Sequence, residues 1–368
     1  EQQLCKPSWV KSKASKLNMF TGTEMIPIEC AGALGSKASL KRAIAACLRL
    51  SPEGNLPNGR LGRIDGWDVS GITDMEKLFD DASSFNADIS KWDVSRITDM
   101  SAMFWKARSF NADLSKWDVS RVTITSNMFN SATSFNIDIS KWDVSRVTNM
   151  EAMFRHASSF DGDISKWVVS KVINMDSMFA SASSFYGDLS KWDVSSVSTM
   201  FRMFGHASLF SNDLSKWDVS RVTNMLSMFD HASTFNGDIS KWDVSGVTDM
   251  GFMFASATSF NGDLSNWDVS SVTNMNYMFY SASSFNGDVS KWDVSSVSNM
   301  EQMFSGASSF AQTLSGAWVI SPASKDGIFH GSSGQMFVVT STSTSAATRA
   351  IGRDGTSKTS FTLALTIS

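Results

Sequence analysis

The sequence of 368 residues has no long apolar run and no excess of positive charge. A helix that spans a membrane needs about 18 or more consecutive apolar residues, and no such run occurs. Lysine and arginine number 32 against 36 aspartate and glutamate residues, which gives a net charge of −4. Because the cations are interleaved with carboxylates, the chain has no basic field that would bind phosphates. These absences argue against a membrane span and against nucleic-acid binding.

Cysteine is also scarce, and its three residues, Cys5, Cys30 and Cys47, all lie near the N-terminus. Cysteines confined to one end of a repetitive chain are typical of a terminal cap held by a disulfide in an oxidising compartment. We expect Cys30 and Cys47 to form that disulfide. The chain begins at Glu1 rather than at methionine, which suggests that a leader has been removed or that the chain is a fragment; if the protein is extracellular, a cleaved secretory signal is the favoured cause. Both observations favour an extracellular or cell-surface location.

One motif of 25 residues recurs through most of the chain. Each copy is a variant of the run S-K-W-D-V-S-x-V-T-x-M-x-x-M-F. The tryptophans of this column are Trp67, Trp92, Trp117, Trp142, Trp167, Trp192, Trp217, Trp242, Trp267 and Trp292. A fixed period of about 20 to 50 residues is typical of an array of stacked repeats. We therefore divide the chain into an N-terminal cap at 1–63, a repeat array at 64–334 and a Ser/Thr-rich β segment at 335–368.

Two apolar patterns alternate within each copy. The first, in one copy, consists of Ile89, Trp92, Val94 and Ile97. It has the L-x-x-L-x-L spacing of leucine-rich repeats and predicts a short strand centred on residues 92–95. The second pattern consists of Met100, Met103, Phe104, Ala107 and Phe110. Its spacing of three and four residues predicts a short helix of about three turns, so that Trp, Val, Met and Phe columns form the core.

The motif resembles the 25- or 26-residue repeat of bacterial and algal surface proteins, which is related to the BspA-type leucine-rich repeats. Residues 150–154, 157–160 and 240–245 carry the resemblance, which covers about 270 of the 368 residues. It implies a surface-displayed or extracellular solenoid that serves in adhesion, in binding or in building surface structures. It also implies that the chain has no catalytic activity.

The fold that we predict is an α/β repeat, a right-handed leucine-rich-repeat-like solenoid with parallel strands and short helices, capped at both ends. At the N-terminal end, apolar residues at i, i+4, i+7 and i+8 between Lys37 and Leu50 predict an amphipathic helix. At the other end, alternating stretches that begin at Val338 and Phe361 predict two strands. These strands would form a capping hairpin or, as we favour, an edge that joins a neighbouring molecule.

Charged columns flank the tryptophan of each copy and are predicted to share one exposed face. The candidates for an interaction face are Asp93, Asp118, Asp143, Lys91, Lys116 and Lys141. Carboxylates about 5 Å apart repel by roughly 1 kcal/mol in water. We therefore expect a lattice of alternating Lys–Asp salt bridges, with Ca²⁺ held between neighbouring aspartates as the alternative. Val168 interrupts the aspartate column.

A second acidic column precedes each predicted strand and includes Asp88, Asp113 and Asp138. Its expected role is turn chemistry, in which the carboxylate accepts hydrogen bonds from loop N–H groups. A loop Ca²⁺ site is the weaker alternative, and it is the only cofactor that the sequence suggests.

Neither the histidines nor the serines of the array form a recognisable reactive group. His156, His206 and His231 share one column, and the last two lie in adjacent copies. Two stacked histidines would suit a metal, but no third ligand recurs with them, so solvated surface positions are the simpler interpretation. Each serine belongs to a repeated column rather than to a unique Ser-His-Asp arrangement. We expect no enzymatic activity.

After these exclusions the sequence is consistent with two candidate functions. The first is a non-enzymatic extracellular structural repeat protein, a self-assembling subunit of a filament or coat. The second is a surface adhesin whose solenoid face binds a protein or a glycan. The near-identity of the copies favours the first, because an adhesin would vary some exposed columns. The expected partners are the protein itself or other surface proteins, with a glycan as a further candidate, in a homo- or hetero-oligomer.

Overall fold

The computed structural model describes residues 34–55, 63–340, 347–351 and 357–359. Its regular elements lie at the two ends of the array. In chain order they are α1 (Lys37–Leu50), a 3-10 turn (Ile64–Gly66), β1 (Thr313–Leu314), α2 (Ala317–Ile320), β2 (Gln335–Thr340), β3 (Ala347–Ile351) and β4 (Ser357–Thr359). Within the described ranges, no helix is long and apolar enough to cross a membrane.

Helix α1 covers the first copy of the motif. It begins with a capping box, in which the Ser36 hydroxyl accepts a hydrogen bond from the Ser39 amide at 3.2 Å. Its buried face consists of Leu40, Ala43, Ile44 and Cys47. These side chains belong to the same apolar cluster as the first repeats, so the core continues without a break into the helix.

Cys47 is buried and has no disulfide partner among the described residues. Its Sγ donates to the Gly54 carbonyl oxygen at 3.8 Å, and burial raises the pKa of the thiol. Packing of α1 places Cys47 in the apolar cluster. Cys30 and Cys5 lie outside the described residues, so the Cys30–Cys47 disulfide stays a prediction.

Successive copies of the motif stack through backbone hydrogen bonds at a spacing of 25 residues. Each copy forms a single-residue parallel bridge with the next, from Asp74–Asp99 through to Asn299–Ser324. Before the bridge residue an amide donates to the preceding copy, as Thr98 N does to Thr73 O at 2.9 Å, and after it alternate amides donate to the following copy. Met75 N donates to Asp99 O and Phe79 N donates to Met103 O, both at 2.9 Å.

The predicted strand at residues 92–95 is wrong, because this segment is a series of turns. The Trp92 amide donates to Ile89 O at 3.1 Å, and the Ile97 amide donates to Val94 O at 2.9 Å. The Ser95 amide donates to the Asp93 carboxylate at 3.0 Å. Local acceptors take these amides, so they form no ladder with the neighbouring copies.

The predicted helix at Met-x-x-Met-Phe is also wrong, because two residues of this segment, four apart, have left-handed backbone angles. Ala102 and Lys106 have φ angles of 52° and 57°, and the same two columns are positive in the other copies. The segment forms short turns, such as Met103 N to Met100 O at 3.2 Å. It also aims Ala102 N and Phe104 N at carbonyl oxygens of the next copy, at 2.8 and 2.9 Å. In an α-helix those amides would instead donate to carbonyl oxygens of the same segment, four residues earlier.

The core consists of aromatic and methionine columns that run along the stack, and the predicted Trp, Val, Met and Phe columns are buried throughout. Within one copy Phe104 stacks on Phe110 with ring centroids 4.0 Å apart. Between copies Phe104 lies parallel to Phe79, with centroids 5.4 Å apart. The indole N–H groups from Trp92 to Trp292 donate to the carbonyl oxygen 28 residues earlier, at 2.8 to 3.2 Å. Each buried tryptophan therefore has a partner for its one polar atom.

Asparagine side chains provide a further link between copies. The Asn86 amide oxygen accepts from the Asn111 backbone N–H at 2.8 Å, and Asn111 does the same for Asn136 at 2.9 Å. No role was predicted for this column from the sequence. Its side chains join the loops of adjacent copies.

The C-terminal end closes the stack with a degenerate copy and a small sheet. Trp318 stacks on Trp292 at 6.4 Å and donates to Val289 O at 3.1 Å, although it comes one residue late in the period. The sheet order is β1-β2-β3-β4, with β1 and β2 parallel and the other pairs antiparallel. The predicted strand that begins at Val338 overlaps β2 at residues 338–340, whereas the one at Phe361 falls outside the described residues.

Candidate functional site

The aspartates that follow the tryptophan column hold turns. Asp93 Oδ1 accepts from the Ser95 amide at 3.0 Å and from the Ser95 hydroxyl at 2.6 Å. The Asp118 and Asp143 carboxylates accept from the amide two residues later, at 3.0 Å in each case. The hydroxyl and amide of Ser95 lower the pKa of Asp93, and those of Ser145 lower the pKa of Asp143. All three aspartates are exposed, so their outer oxygens still face solvent.

The expected Lys–Asp lattice is wrong within the described part of the array. Lys91 pairs with Asp65 at 3.1 Å rather than with Asp93, and Lys116 and Lys141 make no ion pair with any residue that the structure describes. The reason is that a serine two residues ahead already satisfies each carboxylate, while the lysine stem lies exposed. The two charged columns therefore remain open as a surface, and their role in recognition stays a prediction.

The loop aspartates have the turn role that their position predicted. Asp88, Asp113 and Asp138 accept from the amide two residues later, at 2.9, 2.8 and 2.9 Å. The serine hydroxyl and amide two residues ahead lower the pKa of each of the three carboxyls. Among the described residues, these columns form no group of three ligand atoms within 4.8 Å of one another. Binding of Ca²⁺ there stays a prediction.

One cluster in the described chain does bring three such atoms together, at His206, Asp230 and His231. The two imidazoles stack with centroids 4.3 Å apart and planes 8° apart. Asp230 lies beside both rings, with Oδ1 2.6 Å from His231 Nδ1 and Oδ2 3.6 Å from His206 Nε2. Burial is the main cause that lowers the pKa of His206; the neighbouring His231 adds to the shift, and Asp230 partly offsets it.

The backbone ladder sets this arrangement. His206 and His231 have φ angles of 60° and 57°, so both occupy the same left-handed position one copy apart. The His206 amide donates to Asp230 O at 2.6 Å, and the His231 amide donates to Ala255 O at 2.7 Å. Equivalent backbone positions aim equivalent side chains in the same direction, which stacks the two rings.

Asp230 is the residue that the sequence analysis missed. A third ligand was expected to recur in the same column as a repeated residue. Asp230 does not recur, because the equivalent positions one copy before and after it are Gly205 and Ala255. The sequence does offer one signal for this residue, because Asp230 directly precedes His231. His156 shares the histidine column but faces Ala180 and Ser181 in the next copy, so it has no such partner.

The two ends of the array differ in what they expose. At the N-terminal end, Lys37 joins α1 to the first copy through Asp74 and Glu76, at 2.8 and 3.0 Å. At the other end, β4 is the last strand of its sheet, and no other described strand pairs with its outer edge. A strand edge of this kind is a template for pairing with another chain.

Comparison with known proteins agrees with the repeats. No curated protein and no solved structure shows a significant match to the chain. A family described as "Mycoplasma protein of unknown function, DUF285" matches three overlapping ranges, 55–161, 137–238 and 207–318. Together these ranges span residues 55–318, well over half of the 368 residues, and repeat along the stack. The chain therefore belongs to the DUF285 family of tandem-repeat proteins.

Proposed function

We propose that the chain is a non-enzymatic structural protein of the cell surface or extracellular space, a self-assembling subunit of a filament or coat. Its fold in this proposal is a right-handed solenoid related to the BspA-type repeats. The observation that carries it is the contrast between a uniform interior and two different ends. An unbroken stack suits a rigid spacer, whereas the ends provide the means of joining.

The uniform interior supports a load-bearing role. Apart from Leu78 and Thr125, which occupy methionine positions, the full copies contribute the same buried Trp, Met and Phe side chains and closely similar backbone bonds to their neighbours. Repeat arrays of this kind derive their stability from interfaces between neighbours, so a long stack is stiff and cooperative over several copies.

The two ends support directional assembly. Helix α1 covers the apolar face of the first copy, while β4 leaves an open strand edge at the other end. In the proposed assembly this edge accepts a strand or the cap region of the next subunit, which produces a head-to-tail contact.

The test blocks that edge with charge. Replacing Ser357 and Thr359 by lysine places two cations on β4, and edge lysines oppose strand addition. The matched control replaces Ser271 and Ser296 by lysine, in an exposed column where the natural chain already has Lys171. This design is cleaner than a truncation after Gly334, which would also remove the buried Met336.

The measurements are sedimentation velocity and light scattering over a range of protein concentrations, with circular dichroism to check the fold. We expect the native chain and the control to form concentration-dependent polymers, and the β4 variant to remain a folded monomer. A native chain that stays monomeric at every concentration would contradict the filament. Normal polymers from the β4 variant would rule out this edge as the connector.

An adhesin remains the second candidate, because some exposed positions break the repeat with apolar side chains. Val168 is 56% exposed where both neighbouring copies carry aspartate, and Ile173 is 52% exposed where they carry threonine and serine. Tyr186 and Leu209 are 63% and 51% exposed. Restoring the repeat with Val168→Asp and Ile173→Thr should leave the melting temperature unchanged and weaken retention on immobilised glycans or surface proteins. Retention equal to that of the native chain would remove these positions from recognition.

A further inference from the structure

We propose that His206, Asp230 and His231 form a site for one divalent transition-metal ion of the zinc type. The site lies on the surface of the stack, where two adjacent copies meet. It is separate from the β4 edge, so it stands independently of the assembly proposed above.

The distances suit a small cation. Zinc binds imidazole nitrogen and carboxylate oxygen at about 2.0 to 2.2 Å, which places the ligand atoms of a tetrahedral site roughly 3.3 to 3.6 Å apart. His206 Nε2 and Asp230 Oδ2 are already 3.6 Å apart. The shorter contact of 2.6 Å, between Asp230 Oδ1 and His231 Nδ1, is a hydrogen bond whose proton the metal would replace. The His231 side chain is 53% exposed, so its ring has room to rotate outward.

The donor set selects the class of ion. Two imidazoles and one carboxylate suit Zn²⁺, Ni²⁺ and Cu²⁺, whereas Ca²⁺ and Mg²⁺ prefer sites made of oxygen atoms alone. Three protein ligands leave one coordination position open to solvent. Arg202 acts against the site, because its positive charge lies close enough to lower the pKa of His206.

The ladder arranges the ligands before any ion binds. The backbone bond from His206 N to Asp230 O fixes one copy against the next at the site itself. The small side chains at positions 205 and 255 flank the Asp230 carboxylate in its column and offer it no competing charge. Among the residues that the structure describes, Asp230 is the carboxylate that lies within 4 Å of both histidine rings.

Calorimetric titration of the tag-free, metal-stripped full chain with ZnCl₂ at neutral pH tests the site. We expect one equivalent of Zn²⁺ to bind. Asp230→Asn and His206→Gln should each weaken binding by more than about tenfold, since even residues that only support a metal ligand contribute 10- to 100-fold. His156→Gln is the matched control, because this histidine has the same column position without a carboxylate across from it. It should bind as the native chain does.

Two further measurements sharpen the result. Replacement of Arg202 by glutamine should strengthen Zn²⁺ binding, and titration with CaCl₂ should show no binding that depends on Asp230. Thermal melts of each variant check that the chain is folded. The proposal is overturned if the native chain binds no stoichiometric Zn²⁺, or if folded Asp230→Asn and His206→Gln variants bind it as tightly as His156→Gln.

Discussion

Replacement of Trp192 by alanine tests the core at one point of the stack. The Trp192 side chain is 3% exposed, and its indole lies against Phe179 with ring centroids 6.2 Å apart. Its Nε1 donates to the Ile164 carbonyl oxygen at 3.1 Å, so the residue links its own copy to the previous one. The substitution removes both the apolar surface and this bond.

The expected loss follows from the burial. A buried tryptophan withdraws about 150 to 250 Å² from water, worth roughly 4 to 6 kcal/mol at about 25 cal/mol per Å² as an upper bound. Large-to-small truncations of buried aromatics cost about 3 to 5 kcal/mol in practice. We therefore expect Trp192→Ala to lower the free energy of unfolding by about 3 to 5 kcal/mol.

A phenylalanine at the same position separates the two contributions. Trp192→Phe keeps most of the apolar surface but leaves the Ile164 carbonyl without its donor, which costs about 1 to 3 kcal/mol for a buried group. The exposed neighbour Lys191 is the control, and Lys191→Ala should cost well under about 1 kcal/mol.

Urea unfolding followed by circular dichroism measures these differences. Amide hydrogen exchange should accompany it, because a long array can open locally around the altered copy rather than unfold as one unit. A cost for Trp192→Ala no larger than that for Lys191→Ala would refute the assignment of this column to the core. Equal stability of Trp192→Phe and the native chain would show that the indole hydrogen bond contributes nothing.

Two further predictions concern the turns. The serine hydroxyl and amide two residues ahead lower the pKa of Asp88, Asp93 and other turn aspartates in the folded chain. These carboxylates therefore contribute their full stabilisation above the ordinary aspartate pKa of about 3.9. That stabilisation declines as the pH falls through the lowered pKa values of the folded chain. Thermal melts should therefore change little from about pH 7 to pH 5 and fall steeply below about pH 4, and an unchanged melting temperature at about pH 2.5 would contradict this. Ser281 has a φ angle of 54° in the column where the next copy has Gly306, so Ser281→Gly should stabilise the chain by up to about 1 kcal/mol. Ser284, where φ is not positive, is the control, because glycine there should destabilise by about 0.5 to 1 kcal/mol, and equal effects at the two positions would exclude relief of backbone strain.

The sequence by itself determined the period, the buried columns and the covering helix. In a stack, equivalent residues lie above one another, so a column of Trp, Met or Phe can avoid water only by facing inward, and burial follows from composition. Helix α1 was equally predictable, since Leu40, Ile44 and Cys47 lie on one face under a serine N-cap. The turn role of Asp88 followed from the local chemistry of aspartate, which needs no distant partner.

Only the tertiary structure decided which backbone segment joins the copies. Spacings of three and four residues suit a helix, but Met100 and Met103 achieve the same inward orientation through turns that contain left-handed residues four positions apart. Neither Ala102 nor Lys106 signals a left-handed position from its residue type, because both normally avoid it. Hydrogen bonds from their amides to the next copy stabilise those positions. A single copy cannot form these bonds, so the left-handed backbone depends on stacking. Asp230 became part of a site in the same way, because the residue that shares it, His206, lies across the contact between two copies.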